Sequence, residues 1–291
     1  MEREHGRTHV ELYVRAAAKW LALALVTGCC CGVVGTLFHV GVERATELRA
    51  QHPWLLWCLP AAGLAIVAFY KLTRTEGQGT NDIIEAVHHG RPLSILLLPA
   101  IFLGTILTHL CGGSAGREGA ALQMGGTIGR CTGTLFNLDD RDLRTAVMAG
   151  MAAFFAALFG TPLAATVFAM MVISIGAVYH VAFIPCLTAS LVSYWISLQL
   201  GVAPTRFAVV APPLEELTML RVAVLAIGCA LVSVLLCRTL HFAERQMQRR
   251  LPNAWVRAVA GGCAVIALTY LCGTRDYNGA GMDVITAAVE Q

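Results

Sequence analysis

The sequence predicts an all-α, polytopic membrane protein whose helices form an inverted repeat and include broken half-helices. Three observations carry that prediction. Hydrophobic residues make up 57% of the chain and charged residues only 13%, against roughly 25% charged in an ordinary soluble domain. Several apolar runs approach or exceed the length that crosses hydrocarbon: Trp20–Val42, Trp54–Tyr70, Leu93–Cys111, Val181–Leu200, Val222–Leu236 and Val256–Cys272. Finally, Gly-rich breaks interrupt apolar sequence, where irregular backbone is tolerated only if protein buries it or it lines a polar cavity.

The first run starts near residue 20, is long, and is preceded by no A-x-A-like cleavage site, so it is expected to remain as an anchored helix. Arg3, Arg7, Arg15 and Lys19 precede it, whereas the loop that follows balances Glu43 and Glu47 against Arg44 and Arg49. The excess of basic residues places the N-terminus in the cytoplasm of a multi-pass protein of the plasma (inner) membrane. Farther on the order is reversed: the run Arg221–Phe242 comes first, and Arg245, Arg249, Arg250 and Arg257 follow it.

Landmarks recur about 200 residues apart: Pro53-Trp54 and Pro252 with Trp255, then Gly77-Gln78-Gly79 and Gly279-Ala280-Gly281. With the basic loop at opposite ends of equivalent helices, the second copy is expected to run through the membrane the other way up, as in transporters with midplane sites. Chance likeness between apolar helices is the alternative. The division that results is 1–18 as a cytoplasmic segment, 19–200 as the first transmembrane repeat, 201–220 as a connecting loop and 221–291 as a partial, inverted second repeat.

Between the repeats the apolar runs are short: Asp82–His89, Glu118–Phe136, Leu143–Leu158 and Leu163–Gly176. A half-helix that starts inside a membrane aims its unpaired N–H groups and positive dipole end at one spot, and two such starts make an anion cradle. Thr80 and Asn81 are expected to open one such helix, Glu118 and Gly119 another, and Pro162 a third with proline near its first position. Glu118 is the acid at the mouth of the apolar stretch Gly119–Gly129, and an ionisable residue there is a functional candidate. Its carboxylate can occupy the place of an anion and leave it on protonation; the plain alternative is a capping acid, with Arg117 as its solvated neighbour.

Other chemistries find less support. No Gly-Lys-Ser/Thr follows the glycines and no strand precedes them, which argues against a nucleotide loop. His88 and His89 read as an interfacial cap beside Gly90-Arg91-Pro92, His109 as a core hydrogen-bonding residue one turn before the Gly-rich loop, and His180 as an interface anchor. Cys29, Cys30, Cys31, Cys58, Cys186, Cys229, Cys237 and Cys263 lie in apolar runs without metal-ligand spacing and are expected to pack as small hydrophobes. The sequence therefore implies no enzyme, no cofactor, no metal and no nucleic-acid partner.

Gly116-Arg117-Glu118-Gly119 followed by Gln123-Met124-Gly125-Gly126 resembles the gating-glutamate motif of the CLC chloride channel and transporter family. Gly77-Gln78-Gly79-Thr80-Asn81 stands where that family has its first anion-binding loop, and Phe159-Gly160-Thr161-Pro162 is similar to its helix-connecting turn. The wording around the glutamate is closer to the bacterial fluoride-exporting, proton-antiporting branch. The resemblance implies a CLC-type inverted-repeat helical fold, a homodimer in a lipid bilayer, and transport of chloride or fluoride with protons as a possible counter-substrate. By resemblance Glu118 is the gating and proton-coupling residue, and Gly77, Gln78, Gly79, Thr80, Asn81, Gly116, Arg117 and Gly119 surround the anion. At the family's internal proton-transfer position stands Met171-Val172, with no acid, which argues against the usual chloride/proton exchange and leaves a channel or the fluoride branch. The chain also ends soon after Gly281, so a truncated, non-transporting protein or one half of a split transporter is the alternative expectation.

Overall fold

Helix α1 (Glu2–Gln51) is continuous for 50 residues and takes in most of the segment 1–18 as well as the first apolar run. At 1.5 Å per residue it measures about 75 Å, so its ends project well beyond a hydrocarbon core of about 30 Å. This geometry comes from a computed structural model, which describes residues 2–89, 93–173, 179–204, 213 and 215–290. A 3-10 turn at Pro53–Cys58 reverses the chain into α2 (Leu59–Leu72). There follow α3 (Thr80–His89), α4 (Leu97–Leu110), α5 (Glu118–Leu135), α6 (Asp140–Phe159), α7 (Pro162–Ile173) and α8 (Phe183–Gln199). The chain continues with α9 (Glu216–Arg250), α10 (Ala254–Cys272) and α11 (Met282–Glu290), and no strand occurs among the described residues. Six of these units are long and apolar enough to cross a membrane.

Two runs behave differently from expectation. Leu93–Cys111 reads as a crossing segment, but its helix covers only Leu97–Leu110, about 21 Å. Residues before it fold into a turn in which Leu97 N–H donates to the Ser94 carbonyl at 3.0 Å, and the left-handed Gly112 (φ 77°) stops it downstream. Conversely Leu143–Leu158, read as a short run, is the heart of the 20-residue α6, 78% of whose most apolar window is buried. Asp139 extends this helix by accepting the Asp142 N–H at 2.8 Å, and Gly160 (φ 69°) ends it.

The core forms where α6 meets α1, α5 and α8. Small residues let the backbones touch: a Cβ at Gly125 would stand 2.7 Å from Phe154 Cβ, and one at Gly129 or Gly150 would overlap the backbone of the facing helix. That is close helix packing of the kind small residues permit in membranes. Phe38, Phe102 and Phe154 fill the adjoining space, with ring centroids 5.7 and 6.1 Å from Phe38. The Thr27 and Thr132 hydroxyls pair at 2.7 Å between α1 and α5, where burial makes an unpartnered hydroxyl costly.

The second half rests on the first through α10, which packs on α2 where Gly262 admits Pro60, whose Cα lies 2.9 Å from an ideal Cβ. Its first helix is different. The most apolar window of α9 is 0% buried.

Candidate anion site at paired helix starts

The start of α3 is shaped by Gly77, whose φ of 74° suits glycine, and by Asp82, whose Oδ2 accepts the Gly79 N–H at 2.6 Å. At the start of α5, the Ala121 N–H donates to the Arg117 carbonyl at 2.9 Å. Helix geometry thus leaves the N–H groups of Glu118, Gly119 and Ala120 without an intrahelical acceptor, at the positive end of the α5 dipole.

These two starts meet. Gln123 Nε2 donates to Thr80 Oγ1 at 2.9 Å, a Cβ at Gly119 would lie 3.3 Å from the same oxygen, and Ile83 Cγ2 fills the notch at Gly126. Around the junction the glycines face open space: an added Cβ would find nothing within 4 Å at Gly77, and only Asp82 Oδ2, at 3.9 Å, near Gly79. They differ in this from Gly125, Gly129 and Gly150, whose missing side chains are filled by the neighbouring helix. Gln78 is half-buried, and its Oε1 is shielded from solvent without a hydrogen-bond partner among the described residues. Glu118 is exposed, and its carboxylate folds back over Gly116, where an added Cβ would displace it. The two starts thus bring the free N–H groups of α5, the Thr80 hydroxyl and two side-chain-free glycine backbones to one junction, with two carboxylates close by: Glu118, which opens α5, and Asp82, which holds the Gly79 N–H.

The other side of the Gly112–Gly119 loop is anchored to the second Gly-x-Gly turn. Asn278 Nδ2 donates to the Gly112 carbonyl at 3.0 Å and to Thr269 Oγ1 at 3.1 Å, and the Ser114 hydroxyl donates to the Tyr277 carbonyl. Arg49 Nη1 reaches the His109 carbonyl at 3.2 Å. His109 is fully buried, with Nδ1 2.9 Å from the Thr105 carbonyl, which is the core role its position suggests.

The remaining expected residues fall in several places. Arg117 lines a cavity of about 370 Å³ with His39, Glu43, Arg49 and Asn278, and none of Gly77–Thr80 borders it. Asn81 belongs to α3, as do His88 and His89, but their side chains lie outside the described residues, as does Gly176. α7 begins at Pro162 and touches α3. On that helix Met171 is exposed and Val172 half-buried.

The sequence profile described as "Voltage gated chloride channel" matches residues 62–291. The chain belongs to that family. Among similar proteins, a chloride/fluoride channel protein of Pseudomonas syringae pv. tomato (strain ATCC BAA-871 / DC3000) is 33% identical over 263 residues, 89% of this chain and 58% of that protein. An H(+)/Cl(-) exchange transporter ClcA of Cronobacter sakazakii (strain ATCC BAA-894) is 36% identical over 164 residues, 51% of this chain and 35% of that protein. The crystal structure of a CLC-type fluoride/proton antiporter superposes with a TM-score of 0.89 at 33% identity, covering 94% of this chain and 70% of that one. A slow cyanobacterial Cl-/H+ antiporter shares the fold at a TM-score of 0.69 and 24% identity. This family member thus spans little more than half the length of the first of these relatives. It is a multi-pass, all-α membrane protein with the CLC architecture.

Two residues at this junction receive no role from the sequence alone, although Gln123 stands in the glutamate motif. Gln123 is the one long polar residue in the stretch Gly119–Gly129, and that contrast is the signal that could have drawn attention to it. Asn278 precedes the second Gly-x-Gly turn, but its partner Gly112 lies 166 residues away, beyond the reach of any local pattern.

Proposed function

We propose that this chain moves a small halide anion, fluoride or chloride, through a CLC-type pore gated by the protonatable carboxylate of Glu118. The observation that carries the reading is the meeting of the α3 and α5 starts through Gln123 and Thr80, with Glu118 as the first residue of α5. In this reading Gly77, Gln78, Thr80, Asn81, Gly116 and Gly119 contribute backbone and side-chain donors, Gly79, whose N–H is held by Asp82, contributes a backbone without a side chain, and Arg117 supplies positive charge from the cavity that it lines. Protonation of Glu118 frees the anion's position, and its return to the charged form closes it, so one side chain gates and carries protons. Met171 and Val172 supply no inner acid, which favours the fluoride branch or a channel over ordinary chloride/proton exchange. The protein works in the plasma membrane with its N-terminus in the cytoplasm, as a homodimer with a pore in each subunit, and does no enzymatic chemistry.

The test is efflux of fluoride and of chloride from proteoliposomes under an imposed proton gradient. The expected result is halide efflux from the native chain, with Glu118→Gln changing the rate severalfold and abolishing proton coupling. Equal rates and equal coupling in both proteins would overturn the gating role.

A second reading, in which this chain is one part of a split transporter, is favoured by the wholly exposed apolar window of α9. Efflux from liposomes that hold only this chain would refute it.

A further inference from the structure

We infer that Gln123 is a specificity-determining positioning residue: its amide fixes the Thr80 hydroxyl as a hydrogen-bond donor to the anion, and so favours fluoride over chloride. The inference rests on the halide reading above and adds to it the residue pair that ranks the ions.

A threonine hydroxyl has one hydrogen to give and lone pairs to accept. Inside this chain's helices it usually gives the hydrogen to a carbonyl one turn back: Thr108 to Gly104 at 2.7 Å, Thr127 to Gln123 at 2.8 Å, Thr166 to Pro162 at 2.8 Å and Thr269 to Val265 at 2.8 Å. A hydroxyl used in that way satisfies its own helix and offers little to a ligand. Thr80 is the first residue of α3, with no helical turn behind it. The one hydrogen bond made by its side chain among the described residues is the one it accepts from Gln123 Nε2 at 2.9 Å.

With a lone pair engaged by an N–H donor, the Thr80 O–H is turned away from Gln123. Toward the open side lie the side-chain-free backbones of Gly79 and Gly119, where an ideal Cβ on Gly119 already reaches 3.3 Å from Thr80 Oγ1. The Gly79 N–H is already given to Asp82 Oδ2 at 2.6 Å, so the Thr80 hydroxyl is the donor that the α3 start adds to the free N–H groups of Glu118, Gly119 and Ala120. A bond from O–H to an anion is charge-assisted and short. Fluoride, the smaller ion with the more concentrated charge, gains more from such a bond than chloride does. It also loses more on dehydration, so it depends more heavily on having the donor in place.

The pair can be tested by reversing its polarity. A glutamate at position 123 keeps the size of the side chain but accepts the Thr80 hydrogen in place of donating to the oxygen. Purified full chain and its variants are titrated with sodium fluoride and with sodium chloride by calorimetry, a readout that does not require transport. Loss of a hydrogen bond to a charged ligand corresponds to about tenfold to hundredfold in affinity. Thr80→Val is expected to weaken fluoride binding by that factor and chloride binding by less than about threefold, whereas Thr80→Ser restores the native preference. Gln123→Glu, whose added charge repels both ions, is expected to weaken both and fluoride by the larger factor. Gln123→Leu, which leaves the hydroxyl free to rotate, falls between native and Gln123→Glu.

Equal fluoride-to-chloride affinity ratios in native, Thr80→Val and Gln123→Glu proteins would overturn the inference, as would a native chain that binds neither ion. A native chain that binds fluoride preferentially but carries none across a bilayer would instead overturn the transport reading and leave the pair's role intact.

Discussion

Asn278 ties two Gly-rich turns together with a single side-chain amide. Its bonds to the Gly112 carbonyl at 3.0 Å and to Thr269 at 3.1 Å lie at a buried junction, where removing one partner leaves the other unsatisfied at a cost of about 1 to 3 kcal/mol. Asn278→Ala is therefore expected to destabilise the protein by about that amount and to raise amide hydrogen exchange across residues 112–117. Calorimetry and exchange mass spectrometry would check the two effects, and an unchanged exchange rate in the loop would remove the anchoring role. At this scale the sequence exposes the residues whose neighbours are local. Glu118, Thr80 and the glycines of both breaks are legible because a helix start is a local pattern. Gln123 and Asn278 are not, because what each faces is 43 and 166 residues away.

Elements are set by caps and by glycine as much as by hydropathy. Hydropathy alone overstates α4 and understates α6, because it sees neither the turn at Ser94 nor the cap at Asp139. It is also blind to which glycines are packing surfaces. Gly150 belongs to the α5/α6 contact, where a Cβ would lie 2.7 Å from Gly129 N and 2.8 Å from Gly129 Cα, whereas at Gly228 in α9 and Gly261 in α10 nothing lies within 4 Å. One substitution should thus have opposite signs at these positions. Gly150→Ala is expected to cost about 1 to 3 kcal/mol through overpacking of two backbones that have no room to separate. Gly228→Ala and Gly261→Ala are expected to be neutral or to stabilise by about 0.5 to 1 kcal/mol through lower backbone entropy in the unfolded chain. Thermal unfolding midpoints in one detergent would separate the two cases, and a destabilised Gly261→Ala would mean that α10 has a partner on that face.

At the scale of the whole molecule the order of long helix, second helix, Gly-x-Gly turn and short helix occurs twice: first as α1, α2, Gly77–Gly79 and α3, then as α9, α10, Gly279–Gly281 and α11. Hydropathy makes the order legible, but only the charges speak to direction. Arg3, Arg7, Arg15 and Lys19 sit at the entry to α1, while Arg245, Arg249 and Arg250 sit at the exit of α9 and Arg257 in the first turn of α10. If basic segments stay in the cytoplasm, α1 leaves the cytoplasm and α9 returns to it, and the two halves are inverted. A reporter that functions only in the cytoplasm should then be active when fused at the N-terminus or inserted at residues 251–253, and silent at residues 51–53. A phosphatase that folds only outside should give the opposite pattern. External activity at residues 251–253 would make the repeats parallel. The start of α11 would then point its positive end the same way along the membrane normal as that of α3, whereas in an inverted pair the two can face one ion from opposite sides, so the outcome decides whether the second half can add a helix start to the site built by α3 and α5.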